Sequence, residues 1–300
     1  MPSRPEDLAG VADVDLAGRT ALVTGATSGV GAETALALAR LGADVLVHGR
    51  DRAAGSAVVR EARDAGVDAT FLPADFADPD AVDALATAVR EDVDSLDLLV
   101  HNAGAHFDEG ALVDAGAERA ERTFVVNHLG PFRLSFDLRE VLAPDARVVV
   151  VASAVHGRAD GTFDVRSVDE YDGLGAYARS KLANVLFARE LADRLDGAAV
   201  ASCHPGFVPG SGLWREASVP VRVAVGGLDR LPSRLTPDVV DDAAEAAATS
   251  VYLAAAPEAA DAAGGYYVDC ARVDPADVAR DGDRGSTLWD LSEDLTGVRW

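Results

Sequence analysis

Short apolar runs alternate along the chain with longer stretches in which apolar residues recur every three to four positions. The apolar runs fall at 20–24, 44–48, 69–73, 96–100, 147–152, 198–203 and 265–268, and each predicts a strand. The run at 147–152 is almost continuously apolar, as expected of a strand covered on both faces. The periodic stretches predict helices over 32–41, up to about residue 65, 79–93, 117–142, 175–195 and 237–255. Gly130-Pro131 is expected to break the fourth of these, because proline lacks the N–H that a helix interior needs. A short helix is expected within the acidic tail (271–300), near 288–295. Alternating βα units of this length predict a single α/β domain with a doubly wound, Rossmann-type parallel sheet of about seven strands and helices on both faces. Two irregular stretches remain, 154–174 and 207–236. Loops so long in a compact domain commonly carry function.

The first apolar run leads into Thr24-Gly25-Ala26-Thr27-Ser28-Gly29-Val30-Gly31, which opens the first long helix. Gly25 permits a tight turn, Gly29 lets backbone approach a pyrophosphate, and Gly31 lets helix and strand pack closely. The helix N-terminus then offers free N–H groups to phosphate. The alternative is a strand–helix turn that binds nothing, since the G-x-x-x-G-x-G spacing differs from G-x-G-x-x-G. After the second strand, where an NAD site carries an acid for the ribose 2′-hydroxyl, stands Gly49 followed by Arg50. An arginine there suits a 2′-phosphate, so NADP(H) is expected in preference to NAD(H). The alternative is a solvated arginine beside Asp51. Asp75, after the third strand, is a candidate for the adenine amino group or, alternatively, a helix N-cap beside Phe76 and Pro79.

Lysine occurs once in the 300 residues, at Lys181, four positions after Tyr177. On a helix that spacing puts both side chains on one face. A neighbouring ammonium favours phenolate, so Tyr177 is a candidate acid/base for redox chemistry at a carbonyl or alcohol. Free tyrosine titrates near ~10, and ionisation at neutral pH requires roughly 4 kcal/mol. An ammonium about 4 Å away supplies roughly that at an effective dielectric of ~20. The alternative is a surface helix pair.

Composition narrows the partners. The net charge of −23 disfavours nucleic acid and anionic membranes, and it repels anions at long range unless salt or local arginines intervene. Near-absence of lysine with abundant aspartate resembles proteins of salt-loving organisms. Cys203 and Cys270 are the only cysteines, too few for a disulfide framework. With no apolar segment at the N-terminus and none of the ~20 residues needed to span a bilayer, a reduced cytoplasm is the expected compartment. The six histidines show neither H-x-x-x-H spacing nor a flanking cysteine, so no metal is expected. His156 is the one nearest the candidate chemistry.

Taken in order, Thr24-Gly25-x-x-x-Gly29-x-Gly31, His101-Asn102-Ala103-Gly104, Val126-Asn127-His128-Leu129-Gly130, Ser153, Tyr177-x-x-x-Lys181 and His204-Pro205-Gly206 resemble the short-chain dehydrogenase/reductase family over about residues 16–270. The stretch 177–187 and the segment Leu288-Trp289-Asp290-Leu291-Ser292-Glu293 resemble its retinol dehydrogenase branch. Residues 207–216 are similar to a segment of light-dependent protochlorophyllide reductases. The resemblance implies that Tyr177 exchanges a proton with the substrate oxygen and that Lys181 lowers its pKa and holds the nicotinamide ribose. It implies that Ser153 hydrogen-bonds the substrate oxygen and that Asn127 positions a water linking Lys181 to solvent. The alternatives are a loop cap for Ser153 and a brace before Pro131 for Asn127. Cofactor contacts are implied at Ser28, Val30, Phe76, Asn102, Ala103, Gly104, Pro205, Gly206 and Val208. The family also implies a dimer or tetramer built on the long helices.

The chain departs from the pattern at His101, where asparagine is usual, and at Gly210, where threonine is usual and Ser211 is the nearest substitute. The reading favoured by the residues is an alcohol dehydrogenase or ketone/aldehyde reductase for a small hydrophobic substrate, with a lid at 207–236 containing Phe207, Val208, Leu213 and Trp214. Two competing readings are a carbon–carbon double-bond reductase of the protochlorophyllide type and a non-catalytic NADP(H) sensor.

Overall fold

The computed structural model describes residues 3–206, 208 and 242–300. Its elements run β1 Thr20–Val23, α2 Gly29–Arg40, β2 Asp44–Gly49, α3 Arg52–Asp64, β3 Ala69–Pro73, α4 Pro79–Asp92 and β4 Leu96–His101, after a short N-terminal α1 at Pro5–Leu8. A small hairpin, β5 Leu112–Asp114 and β6 Arg119–Glu121, precedes α5 Arg122–Phe124, a π turn at Val125–Leu129 and α6 Gly130–Leu138. Then follow β7 Leu142–Val151, a 3-10 turn at Ala154–Arg158, α7 Gly173–Ala192, β8 Ala199–His204, α8 Ala243–Ala255, β9 Gly265–Val268, β10 Ala271–Val273 and α9 Gly282–Thr296.

The main sheet has eight strands in the order β10-β9-β8-β7-β4-β1-β2-β3. Neighbours pair in parallel except β9 and β10. The seven expected strands are therefore present, and an antiparallel eighth extends the β9 edge. Strand order reverses between β1 and β4, and ligands bind at such switch points outside the strands' carboxyl ends. The apolar runs are continuous because both faces are covered. In β1, Ala21 and Val23 pack under α2, α3 and α8 with Leu38, Val58 and Val251. Leu22, pointing the other way, joins Leu85, Phe132, Phe187 and Trp289.

The helix expected over 117–142 is shorter and starts later. Residues 112–121 form the β5–β6 hairpin, and the helix begins where the Glu121 carboxylate accepts the Thr123 and Phe124 N–H groups at 2.6 and 3.1 Å. Gly130-Pro131 does not break it. The turn before Pro131 widens so that the Gly130 N–H reaches back five residues to Val125, and the missing proline N–H falls where the wide turn hands over to α6. The tail helix is longer than expected, running Gly282–Thr296 and ending at Gly297 in the left-handed conformation, φ 77°. Ser292 and Trp289 bury it against the body of the protein. Of the expected lid, Val208 alone lies among the described residues, as does only the part of the 237–255 helix from Ala243 onward.

Candidate active site

One cleft of about 410 Å³ runs across the carboxyl ends of the central strands. Its shallow end is built from the loops after β1, β2 and β3. Gly25 turns the chain at φ 66°. A Cβ there would meet the Ala103 Cα at 2.7 Å, and one on Gly31 would meet the Gly25 carbonyl oxygen at 2.5 Å, so both positions exclude a side chain. Asn102 ties the two loops together, donating through Nδ2 to the carbonyls of Thr24 (2.9 Å) and Gly25 (3.2 Å). The Thr24 hydroxyl accepts the N–H groups of Asn102 and Ala103, each at 3.0 Å. Ser28, Val30 and Gly31 line the cleft. Gly29 does not; at φ 57° it supplies the left-handed bend that starts α2.

The start of α2 carries the argument for an anion. Helices α3, α4, α7, α8 and α9 are each capped by an aspartate, namely Asp51, Asp78, Asp172, Asp242 and Asp281. Ser28 leaves α2 without a side-chain cap. Its first N–H groups and the positive end of its dipole meet the cleft, a donor set that fits a pyrophosphate. Farther along, Arg50 pairs with Asp75 at 3.4 Å, and the two side chains are 47% and 45% exposed. Asp75 also accepts the Ala77 N–H at 3.0 Å, while the cap of α4 is Asp78, so the alternative of Asp75 as that helix cap does not hold. Phe76 stacks on the His48 ring, with centroids 4.6 Å apart.

His48 was not singled out by sequence. It accepts the Gly25 N–H through Nδ1 at 3.3 Å and lies 3.3 Å from the Ala74 carbonyl through Nε2, so it braces the glycine turn against β3. Burial pushes its pKa down to about 4, leaving a neutral ring that accepts at Nδ1 and donates at Nε2. Nothing in the sequence near His48 distinguishes it from an ordinary strand residue.

The deep end gathers Tyr177 and Lys181 of α7 with Ser153 at the end of β7. Tyr177 is 7% exposed and Lys181 3%. The Lys181 ammonium donates to the Val151 carbonyl at 2.9 Å and lies 5.6 Å from the centroid of the Tyr177 ring. Asn184, one turn on, donates to the same carbonyl at 3.2 Å. The Ser153 hydroxyl accepts the Val155 N–H at 3.4 Å and also bonds the Tyr177 phenol, which lowers the phenol's pKa. Asn127 is fully buried and does not reach the cleft. Its Oδ1 accepts the Ala105 N–H at 2.8 Å, and its Nδ2 donates to the Ala105 carbonyl and the Ser180 hydroxyl, both at 3.0 Å. A Cβ on Gly104 would stand 3.3 Å from the Lys181 ammonium and 3.6 Å from Asn127 Oδ1, so the two residues meet behind a glycine that keeps the gap open. Pro205, Gly206 and Val208 close the cleft from the β8 side.

The expected electrostatics need correction. Burial raises the Tyr177 phenol above its ordinary value, with Ser153 offsetting only part of the shift. The same burial lowers Lys181 to about 8. Desolvation of two charges outweighs their attraction because the ammonium is directed to the Val151 carbonyl. The deep end by itself therefore holds a protonated phenol.

The outer wall of this end was also missed. Phe107, Arg122, Val155 and Leu174 line it, with the Arg122 guanidinium 3.8 Å above the Phe107 ring. They come from the loop after β4, the start of α5, the 3-10 turn after β7 and the start of α7. Nothing in the sequence sets Arg122 apart from Arg119, Arg133 and Arg139 in the same stretch. His156 does not line the cleft. Its Nδ1 bonds the Ser153 carbonyl at 2.7 Å and its Nε2 accepts the Ala276 N–H at 3.0 Å, which fastens the segment after β10 to the serine loop.

A switch-point cleft with an uncapped helix terminus at one end and a buried tyrosine–lysine pair at the other defines a dinucleotide-binding oxidoreductase of the α/β class. The chain belongs to the short chain dehydrogenase family, whose profile matches residues 19–218. It is 36% identical to retinol dehydrogenase 14 of Homo sapiens, across 94% of this chain and 87% of the relative. It is 38% identical to dehydrogenase/reductase SDR family member 13 of Bos taurus, across 94% and 74%, and 39% identical to polyprenol dehydrogenase of Mus musculus, across 94% and 84%. Among solved structures, an uncharacterised protein of Mycobacterium Paratuberculosis superposes with a TM-score of 0.73 at 29% identity, covering 96% of this chain and 97% of that one. The angucycline C-6 ketoreductase LanV, solved with bound NADP, gives 0.66 at 25% identity, covering 85% and 95%. The chain is accordingly an NAD(P)-dependent oxidoreductase acting on CH–OH or C=O groups. No described helix is long and apolar enough to cross a membrane.

Proposed function

We propose that the protein reduces an aldehyde or ketone on a largely apolar molecule with NADPH, and catalyses the reverse oxidation at higher pH. The observation that carries this is the buried Tyr177–Lys181 pair beside Ser153, at a cleft end walled by Phe107, Val155 and Leu174. The nicotinamide, when bound, supplies the hydride to the carbonyl carbon. Gly25, Ser28, Val30 and Gly31 would hold the pyrophosphate, and Arg50 a ribose 2′-phosphate. Asp75 and Phe76 would border the adenine; Asn102, Ala103, Gly104, Pro205, Gly206 and Val208 would frame the rest of the cofactor.

Tyr177 donates its proton to the substrate oxygen as the carbonyl becomes an alcohol, and Ser153 donates a second hydrogen bond to the same oxygen. A phenol raised by burial is fully protonated at neutral pH, which suits reduction. The phenolate left behind is stabilised by Lys181 and reprotonated from solvent along the side where Lys181 and Asn127 meet. NADP(H) preference is supported by Arg50 and by the NADP bound to LanV. An apolar substrate is supported by the cleft wall and by relatives named for retinol and polyprenol. The free thiols Cys203 and Cys270 and the acid excess fit a reducing, salty cytoplasm.

The test is NADPH oxidation against a panel of aldehydes and ketones. A loss of turnover of about a thousandfold in Tyr177→Phe is expected. Full turnover in that variant, or tight NADPH binding with no turnover across the panel, overturns the proposal, the latter in favour of a sensor.

A further inference from the structure

Arg122 has no task in the mechanism above, yet it forms part of the cleft. Its guanidinium carbon lies 3.8 Å over the centre of the Phe107 ring, and Nη2 donates to the Glu109 carbonyl at 3.4 Å. Its Nε is buried without a hydrogen-bond partner. It makes no ion pair with any described residue, although the chain carries 50 acidic residues against 27 basic ones.

The stack is held from behind. The Tyr171 hydroxyl donates to the Phe107 carbonyl at 2.8 Å and meets the Thr123 hydroxyl at 3.0 Å. One tyrosine thus fixes both the ring below the guanidinium and the residue next to it. The Arg122 N–H is also anchored, on the Ala111 carbonyl at 2.9 Å. Such fixed placement removes most of the entropy that an arginine loses on gripping a ligand. His106, the residue before Phe107, packs edge-on against the Tyr177 ring with centroids 6.0 Å apart. The stack therefore lines the same cleft as Tyr177, one residue along the chain from the histidine that touches its ring.

We infer that Arg122 is a specificity-determining residue that binds an oxyanion, most simply a carboxylate, at the end of the substrate remote from the reacting carbonyl. The preferred substrate class becomes an apolar chain or ring system with a C=O at one end and an acid group at the other. The long-range field of an acidic protein repels such a molecule, so only a cation set in the cleft wall retains it. This deepens the proposed function and rests on it.

The probes are 12-oxododecanoate and its methyl ester, with NADPH, at 1 M NaCl, where the Debye length of about 3 Å removes the overall field. Wild type is expected to favour the acid over the ester in kcat/KM. In Arg122→Met, which keeps the stem over Phe107, the acid-to-ester ratio is expected to fall about tenfold, the usual scale of a lost charge-assisted hydrogen bond. An unchanged ratio overturns the inference. Calorimetric titration with dodecanoate gives a readout independent of turnover. A dissociation constant raised about tenfold in Arg122→Met, and in the second variant Arg122→Gln, supports the site. Equal constants, or no binding to wild type, overturn it. Should neither aldehyde be reduced, the carbonyl-reductase reading fails, while the dodecanoate titration still decides on Arg122.

Discussion

The two ends of the cleft handle charge in opposite ways. At the shallow end Arg50 and Asp75 face each other at 3.4 Å with nearly half of each side chain exposed. At the deep end Tyr177 and Lys181 are almost wholly enclosed, and burial moves the phenol up and the ammonium down. The lesson is that proximity of opposite charges is not enough to set protonation. Where water remains, it screens the pair, and exposed pairs contribute little. Where water is excluded, desolvation decides, and only further partners restore the charged forms. The deep end is thus poised: its neutral phenol becomes an effective base only when something adds positive charge or hydrogen bonds beside it.

The sharpest way to break this contrast is Tyr177→Phe, for which a loss of about a thousandfold in kcat is expected, within the range of positioned acid–base catalysis. Steady-state reduction of a turned-over aldehyde measures it. Ser153→Ala should cost about a hundredfold in kcat at either ionic strength, as for loss of one donor to a developing oxyanion. Arg50→Ser should lower the preference for NADPH over NADH by about tenfold in low salt. That loss should shrink in molar salt, because an exposed pair is screened. A salt-independent Arg50 effect, or a salt-sensitive Ser153 effect, would erase the distinction between the two ends.

A smaller effect extends the same physics to histidines. Burial lowers His48 to about 4 and His101 and His128 to about 3. An unfolded histidine titrates near ~6.5, so below that pH the unfolded chain binds protons that the folded chain refuses. Stability from these three groups is present above that pH and is lost as pH falls towards 4 and then 3. Urea midpoints should decline across this range, and imidazole NMR signals of these three should not titrate at pH 5.5. Three freely titrating rings would show that the enclosure is looser than described.

Much of the fold was legible because a doubly wound sheet writes itself as apolar runs between amphipathic helices. The runs at 20–24 and 96–100 coincide with β1 and β4, whose neighbours alternate between the two covered faces. The hairpin at 112–121 was not legible, because its strands are three residues each and one side is half open. The π turn before Pro131 was not, because Val125, Asn127, His128 and Leu129 are all buried and leave no one-sided apolar stripe against which an extra residue would show. In the site, glycine and the tyrosine–lysine spacing were readable since they answer to local geometry. His48, Phe107 and Arg122 were not, since each acts on residues remote in sequence.

What the sequence determined by itself was the order of the main strands and helices along the chain, the glycine turn before α2 and the placing of one ammonium a helical turn beyond one phenol. Those features are set by backbone sterics and helical period, which operate within a few residues. Only the tertiary structure decided how deep that pair lies, which carbonyl the ammonium faces and which cation stands in the outer wall. Depth and orientation depend on everything packed around a group, and the free energy of a charge depends on that surrounding more than on its nearest neighbour in the chain.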